Sequence, residues 1–176
     1  AKVLLEACSS LLNLYDATVE EVDTHDYLKS LNEPCCDLVD RLPSVYNKEE
    51  RDRIKSVLDW LTSNTNAPSV CNIELVQSHG DFQPANILID NIDQQLYLID
   101  WEYTAKRSVY YDALVFATKC RSPQGLSKRI KLVLNETDVS WNWCIKNTST
   151  KLSKLELTIF LVEDLIVRLS ELQIPN

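Results

Sequence analysis

The chain has 176 residues, of which 45% are apolar and 25% are charged, a composition typical of one globular domain with a sizeable core. Its 26 acidic and 18 basic residues give a net charge of −8, which disfavours nucleic acid as a partner. The six cysteines form no Cys-x-x-Cys pair and favour free thiols in a reducing, cytoplasmic compartment, and no apolar run is long enough to cross a membrane.

The first third of the chain is predicted to be helical, because apolar residues recur there at helical spacing. The predicted helices are 1–15, 24–31, 36–42 and 47–63. We expect Thr24 to cap the second helix. Pro34 and Pro43 are expected to end the second and third helices, since proline lacks the N–H that continues a helix.

The middle of the chain changes character. Short β-prone runs predict strands at 72–78, 86–89 and 96–99, with a turn at 90–93. Helical spacing then returns over 111–120, 127–134 and 153–172. The predicted fold class is therefore mainly α (α+β), with strands confined to about 73–99 and the N-terminal helix packed beneath the loop that follows the first strand.

One pair of segments carries the chemistry. The run HGDFQPAN contains Asp81 and Asn86, and the run IDWE contains Asp100. Phosphoryl transfer needs a carboxylate beside the acceptor hydroxyl and oxygen ligands for magnesium. Because the predicted hairpin reverses at 90–93, Asn86 and Asp100 should lie side by side near a common point, with Asp81 facing the same cleft.

Two other interpretations of these residues stay open at this point. Asp81, Asn86 and Asp100 could be ordinary turn and cap residues, which Asp and Asn often are. His79 and Asp81 could instead belong to a metal hydrolase, but His25 is the sole further histidine in the sequence, and zinc sites usually need more His or Cys ligands.

The two segments, HGDFQPANILID and LIDWE, resemble the Brenner motif and the metal-binding motif of the aminoglycoside phosphotransferase and choline kinase superfamily, relatives of protein kinases. The resemblance implies that Asp81 is the catalytic base. It also implies that Asn86 and Asp100 bind Mg²⁺ and, through it, the phosphates of ATP or GTP. Gln83 stands where relatives often have histidine, a difference that we interpret as neutral.

The resemblance also implies supporting residues. His79 matches a histidine that braces the loop, and Asp100 with Glu102 meets the Asp-x-Glu signature of the family. Asp112, in the run YDA, matches a later aspartate with a structural role.

The resemblance covers about residues 1–121 and indicates a kinase-like C-terminal lobe spanning 1–176. The first helix resembles the one that follows the interlobe hinge. Gly80 and Gly125 are the only glycines, so no Gly-rich phosphate loop is found, and no strand-borne lysine of the Val-Ala-Ile-Lys type occurs. We therefore expect that the N-terminal nucleotide-covering lobe is absent from this chain, that the isolated lobe is weakly active or inactive, and that it can dimerise through its exposed lobe interface.

The leading hypothesis is an ATP- or GTP-dependent kinase of the aminoglycoside phosphotransferase type, acting on a hydroxyl of a small molecule. The alternative is a non-catalytic, kinase-like helical binding module. Aromatic residues could form a pocket for a cationic amine, although burial in the core is the more favoured interpretation: Trp141, Trp143, Tyr110 and Tyr111. Lys106 and Arg107 could meet phosphate, but solvated surface residues are the simpler expectation.

Overall fold

The computed structural model describes residues 2–63, 71–122, 124–135 and 153–173. The helices in these ranges are α1 (Lys2–Thr18), α2 (Thr24–Asp40), α3 (Lys48–Ser63), α4 (Tyr111–Thr118), α5 (Leu126–Asn135) and α6 (Lys154–Glu171). The strands are β1 (Glu20–Asp23), β2 (Asn72–Ser78), β3 (Ile87–Ile89), β4 (Leu96–Leu98) and β5 (Ala105–Ser108). Helices outweigh strands, which confirms the α+β fold class.

The chain divides into two compact units. One, the site unit, contains residues 1–20 and 74–154, and the other, the helical unit, contains residues 21–73 and 155–176. The segments singled out in the sequence lie in the site unit. Nowhere in the described ranges does a helix have the length and apolar character required to traverse a bilayer.

Two small sheets are present. One has the strand order β1-β2-β5, and the other is the antiparallel hairpin β3-β4, in which Ile87 lies opposite Leu98. In the first sheet β2 and β5 are antiparallel, with Ser78 opposite Ala105. The prediction that strands are confined to about 73–99 is wrong. Both extra strands flank β2, and their short, charged sequences (EEVD and AKRS) lack the apolar alternation by which a strand is found.

The core of the site unit is built around α1 and α4. The buried residues of α1 include Ala7, Cys8, Leu11 and Tyr15. This helix contacts strand β4. Helix α4 is nearly surrounded by protein: its buried residues are Tyr111, Asp112, Ala113, Leu114, Val115 and Thr118. The predicted N-terminal helix is thus a support for the hairpin.

In the helical unit, α2 runs unbroken through Pro34, so the two short helices predicted at 24–31 and 36–42 are one. Its N-cap is Asp23, whose carboxylate accepts the N–H groups of His25 and Asp26, and not Thr24. Residues on both sides of the proline are buried on one face, including Leu28 and Val39. Burial of that continuous stripe offsets the roughly 3 kcal/mol that an internal proline costs.

The core cluster of the helical unit joins three helices and the turn after α2. Its buried members are Cys35, Val39, Leu42, Leu58, Val162 and Leu169. Helix α3 begins with a reciprocal cap, in which the Asn47 N–H donates to Glu50 Oε2 at 2.8 Å and the Glu50 N–H to Asn47 Oδ1 at 3.0 Å. This cap fixes the start of α3 close to residue 47, where the predicted helix begins.

Candidate active site

The loop that follows β2 depends on a glycine. Gly80 has a φ of +89°, and a Cβ at this position would lie 2.1 Å from the carbonyl oxygen of Tyr103. A side chain would therefore meet both a strained backbone conformation and a rigid backbone atom. The loop between β2 and β3 is pressed against the turn between β4 and β5 at this point.

Asp112 holds the backbone of the same loop. This fully buried carboxylate, in the first turn of α4, accepts the N–H of His79 at 2.7 Å and the N–H of Gly80 at 2.8 Å. Tyr15 of α1 donates its hydroxyl to the same carboxylate at 2.7 Å. Three donors and a buried charge give Asp112 a structural role, as the sequence indicated.

His79 ties the loop to the segment that precedes Asp100. Its Nδ1 accepts the Asp81 N–H at 3.3 Å, so the ring proton is assigned to Nε2, which donates to the carbonyl of Ile99 at 2.9 Å. The ring packs against Trp101, with centroids 4.4 Å apart. Both ring nitrogens are committed to the backbone, so His79 is a brace and not a metal ligand.

The Asp81 carboxylate is almost buried, and every one of its oxygens has a partner. Oδ1 accepts Nε of Arg121 at 2.9 Å. Oδ2 accepts Nε2 of Gln83 at 2.8 Å and Nδ2 of Asn86 at 3.0 Å. The carboxylate is therefore fixed in direction, as a positioned base requires, and Oδ1, with Arg121 as its donor, keeps a second lone pair that an incoming hydroxyl can use.

Asn86 is oriented by Asp81. Its amide nitrogen donates to both the backbone carbonyl (2.9 Å) and Oδ2 of Asp81, so its side-chain oxygen is the atom left for a cation. The backbone N–H of Ile99 donates to the Asn86 carbonyl at 3.0 Å. Asp100 is thus one residue beyond the partner of Asn86 in the hairpin.

The residues present fit a magnesium ion. Asp100 is exposed and has a φ of +68°, in the left-handed region that aspartate enters more often than most non-glycine residues. No group of three or more His, Cys, Asp or Glu side chains that could hold a metal occurs among the described residues. Magnesium commonly takes one or two protein oxygens and completes its shell with phosphates and water. A shared ion between Asn86 and Asp100 stays a prediction.

The remaining residues singled out in the sequence differ in their exposure and in their partners. Glu102 is exposed in the turn after β4, and His25 is exposed in the helical unit. Lys106 pairs with Glu20. Arg107 donates to Ser78 Oγ at 2.7 Å and lies over the ring of Tyr111. Each basic side chain therefore has a protein partner, and Trp141 and Trp143 lie outside the described residues.

Three contributors were missed in the sequence. Tyr15, Tyr103 and Arg121 support the loop, yet each lies at least 22 positions from Asp81 in the sequence. Arg121 is separated from Asp81 by 40 positions. No local spacing links such residues, and only the folded chain brings them together.

A carboxylate and an amide placed after a strand, beside a hairpin that ends in a second aspartate, define a kinase-like protein. The family model of choline/ethanolamine kinase matches residues 8–119, more than half of the chain. The chain belongs to the choline/ethanolamine kinase family.

The similarity of this chain to curated proteins and to solved structures is limited. A search of curated proteins found no match. Among solved structures, a glucosamine kinase (crystal form A) is similar at 14% identity with a TM-score of 0.37, over 96% of this chain and 39% of that one. This chain thus spans about two fifths of the length of that protein.

Proposed function

We propose that this chain carries the catalytic half of a small-molecule kinase that transfers the γ-phosphoryl group of ATP or GTP to a hydroxyl. The observation that carries the proposal is the direct bond between Asn86 and the Asp81 carboxylate at 3.0 Å. It places a candidate metal ligand beside a candidate base on one short loop. Membership of the choline/ethanolamine kinase family supports the same reaction class.

In the proposed reaction, the Asp81 carboxylate orients the acceptor hydroxyl and takes its proton. The acceptor oxygen forms a bond to the γ-phosphorus, and the bond from that phosphorus to the β-phosphate bridging oxygen breaks, so that a nucleoside diphosphate leaves. Magnesium, when bound, would neutralise phosphate charge. Asn86 Oδ1 and the Asp100 carboxylate are the groups that would hold it.

The proposal is tested by nucleoside diphosphate release, measured with choline, ethanolamine, amino sugars and aminoglycosides as acceptors. The assay uses both the 176-residue chain and the longest polypeptide of its reading frame. Asp81→Asn should lower kcat by about 10²–10⁴-fold. Asp100→Ala should abolish the binding of Mn²⁺ in the presence of nucleotide. Electron paramagnetic resonance measures this binding.

The matched control is Asp90→Asn, at the opposite end of the same hairpin, where the carboxylate accepts the Ile92 N–H at 2.6 Å. Asparagine retains that acceptor, so turnover and metal binding should be unchanged. Turnover that survives Asp81→Asn would contradict the proposal. Tight binding of magnesium nucleotide with no turnover on any acceptor would favour the non-catalytic binding module.

A further inference from the structure

Arg121 makes a two-point contact with the candidate catalytic loop. Its Nε donates to Asp81 Oδ1 at 2.9 Å, and its Nη2 donates to the Gly80 carbonyl at 2.9 Å. The guanidinium lies 5.2 Å from the centre of the Tyr103 ring. The side chains of Arg121 and Asp81 are only 18% and 9% exposed, so solvent screens this ion pair weakly.

The turn that carries Arg121 is itself held in place. Helix α4 ends at Thr118 and Lys119 adopts a left-handed conformation. Arg129 of α5 then donates to carbonyls along the turn, at Lys119 (3.2 Å) and Gln124 (2.6 Å) as well as at Thr118 and Ser122. A guanidinium that reaches the loop from a braced turn is already in position before any ligand binds.

The three donors to Asp81 are not equally anchored. Arg121 and Asn86 each donate to a backbone carbonyl of the loop as well as to the carboxylate. Gln83 donates to Oδ2 through its amide nitrogen. Arg121 and Asn86 therefore fix the carboxylate to the backbone of its own loop, and Arg121 is the charged donor of the three.

We propose that Arg121 is a positioning residue, which donates to Oδ1 throughout turnover and so holds the Asp81 carboxylate in the orientation in which it meets the acceptor hydroxyl. The inference rests on the proposed phosphotransferase function. It assigns Arg121 to the base, because Nε donates to the Asp81 carboxylate and Nη2 donates to the Gly80 carbonyl of the same loop. It also predicts that the contact with Asp81 forms in the protein without nucleotide.

The kinetic test measures the kcat and the nucleotide KM of Arg121→Ala and Arg121→Lys. It uses the polypeptide in which turnover is observed. Misplacing a base by about 1 Å costs on the order of 10²-fold, so Arg121→Ala should lower kcat by about that factor while the nucleotide KM stays within about twofold. Millimolar guanidinium chloride should raise the kcat of Arg121→Ala at least tenfold. The control is Arg53→Ala, which removes an exposed charge from the helical unit and should change neither kcat nor rescue.

An activity-independent test uses the 176-residue chain alone. A double-mutant cycle of Arg121→Ala and Asp81→Asn, read from urea unfolding, should show a coupling of roughly tenfold in the unfolding equilibrium constant. Additive effects, with coupling below about twofold, would contradict the inference that Arg121 and Asp81 interact in the folded chain. A kcat loss in Arg121→Ala that guanidinium does not restore, or a parallel rise in nucleotide KM, would overturn the positioning role.

The two tests separate this inference from the proposed function. Absence of turnover in every polypeptide and with every acceptor would refute the phosphotransferase function and, with it, the positioning role in catalysis. The measured coupling would still decide whether Arg121 fixes Asp81 in the folded chain.

Discussion

Replacing Asp112 with asparagine should expose how strongly the loop depends on one buried charge. The carboxylate accepts hydrogen bonds from Tyr15, His79 and Gly80, at 2.7, 2.7 and 2.8 Å. Oδ2 receives the first two donors and Oδ1 receives the third. An amide has one acceptor oxygen, so it keeps Tyr15 and His79 only by turning its NH₂ group towards the Gly80 N–H.

The cost follows from that geometry. A buried N–H of Gly80 facing another donor loses about 2 kcal/mol, and the two remaining bonds each weaken by about 0.5 kcal/mol when the acceptor loses its charge. The expected loss in the free energy of unfolding is therefore about 3 kcal/mol. Tyr15→Phe, which removes one donor and leaves the charge with two, should cost about 1.5 kcal/mol.

Urea unfolding at pH 7 measures these differences, read as a lower midpoint with an unchanged slope. Tyr97→Phe is the matched control, because its exposed hydroxyl contacts only the Gln95 side chain, at 3.2 Å. That variant should stay within about 0.5 kcal/mol of the parent chain. A loss below about 1 kcal/mol in Asp112→Asn would refute the idea that the charge of Asp112 organises the loop.

Three further outcomes are expected. Gly80→Ala should destabilise the chain by more than about 2 kcal/mol, and Gly125→Ala by only about 1 kcal/mol, because a Cβ at Gly125 would lie 3.3 Å from Nη1 of Arg129, whereas at Gly80 it would lie 2.1 Å from a backbone oxygen; equal losses in thermal unfolding would contradict the clash at Tyr103. Gln83→Ala should lower the acceptor KM roughly fivefold at unchanged kcat, since it removes one of the two donors to Oδ2 and opens a further acceptor position on the carboxylate; a raised KM would show that the amide binds the acceptor. Burial, with the neighbouring Cys36, raises the pKa of Cys35 from 9.0 to about 11, so the unfolded chain loses this proton first and the free energy of unfolding should fall as pH rises from 9.0 towards 11; urea midpoints of the parent and of Cys35→Ala that fall equally over this range would contradict it.

Much of the helical and hairpin structure could be predicted because it is encoded locally. Apolar periodicity located α1, α3 and α6, and the polar run at 90–93 located the turn of the β3-β4 hairpin. Local rules failed where burial outweighed them. Pro34 has the local character of a helix stop, yet the buried stripe that continues to Val39 keeps α2 intact.

The candidate site was predictable in its loop and not in its surroundings. Asp81, Asn86 and Asp112 occupy fixed positions in motifs, so their sequence context was sufficient to select them. Arg121 follows a short helix and has no motif of its own. Its role depends on where the turn after α4 lies in the fold, which one sequence does not specify.

Helix α4 gives the loop an all-or-none character. Its first turn contributes Asp112, and the turn beyond its last residue contributes Arg121. One eight-residue helix and the turn after it therefore both hydrogen-bond to the loop. Because most of that helix is buried, the loop cannot open by fraying as a surface loop does. Its amides should exchange with solvent only when α4 itself unfolds, and the chain should pass between an assembled site and none, without a population in which the loop alone is loose.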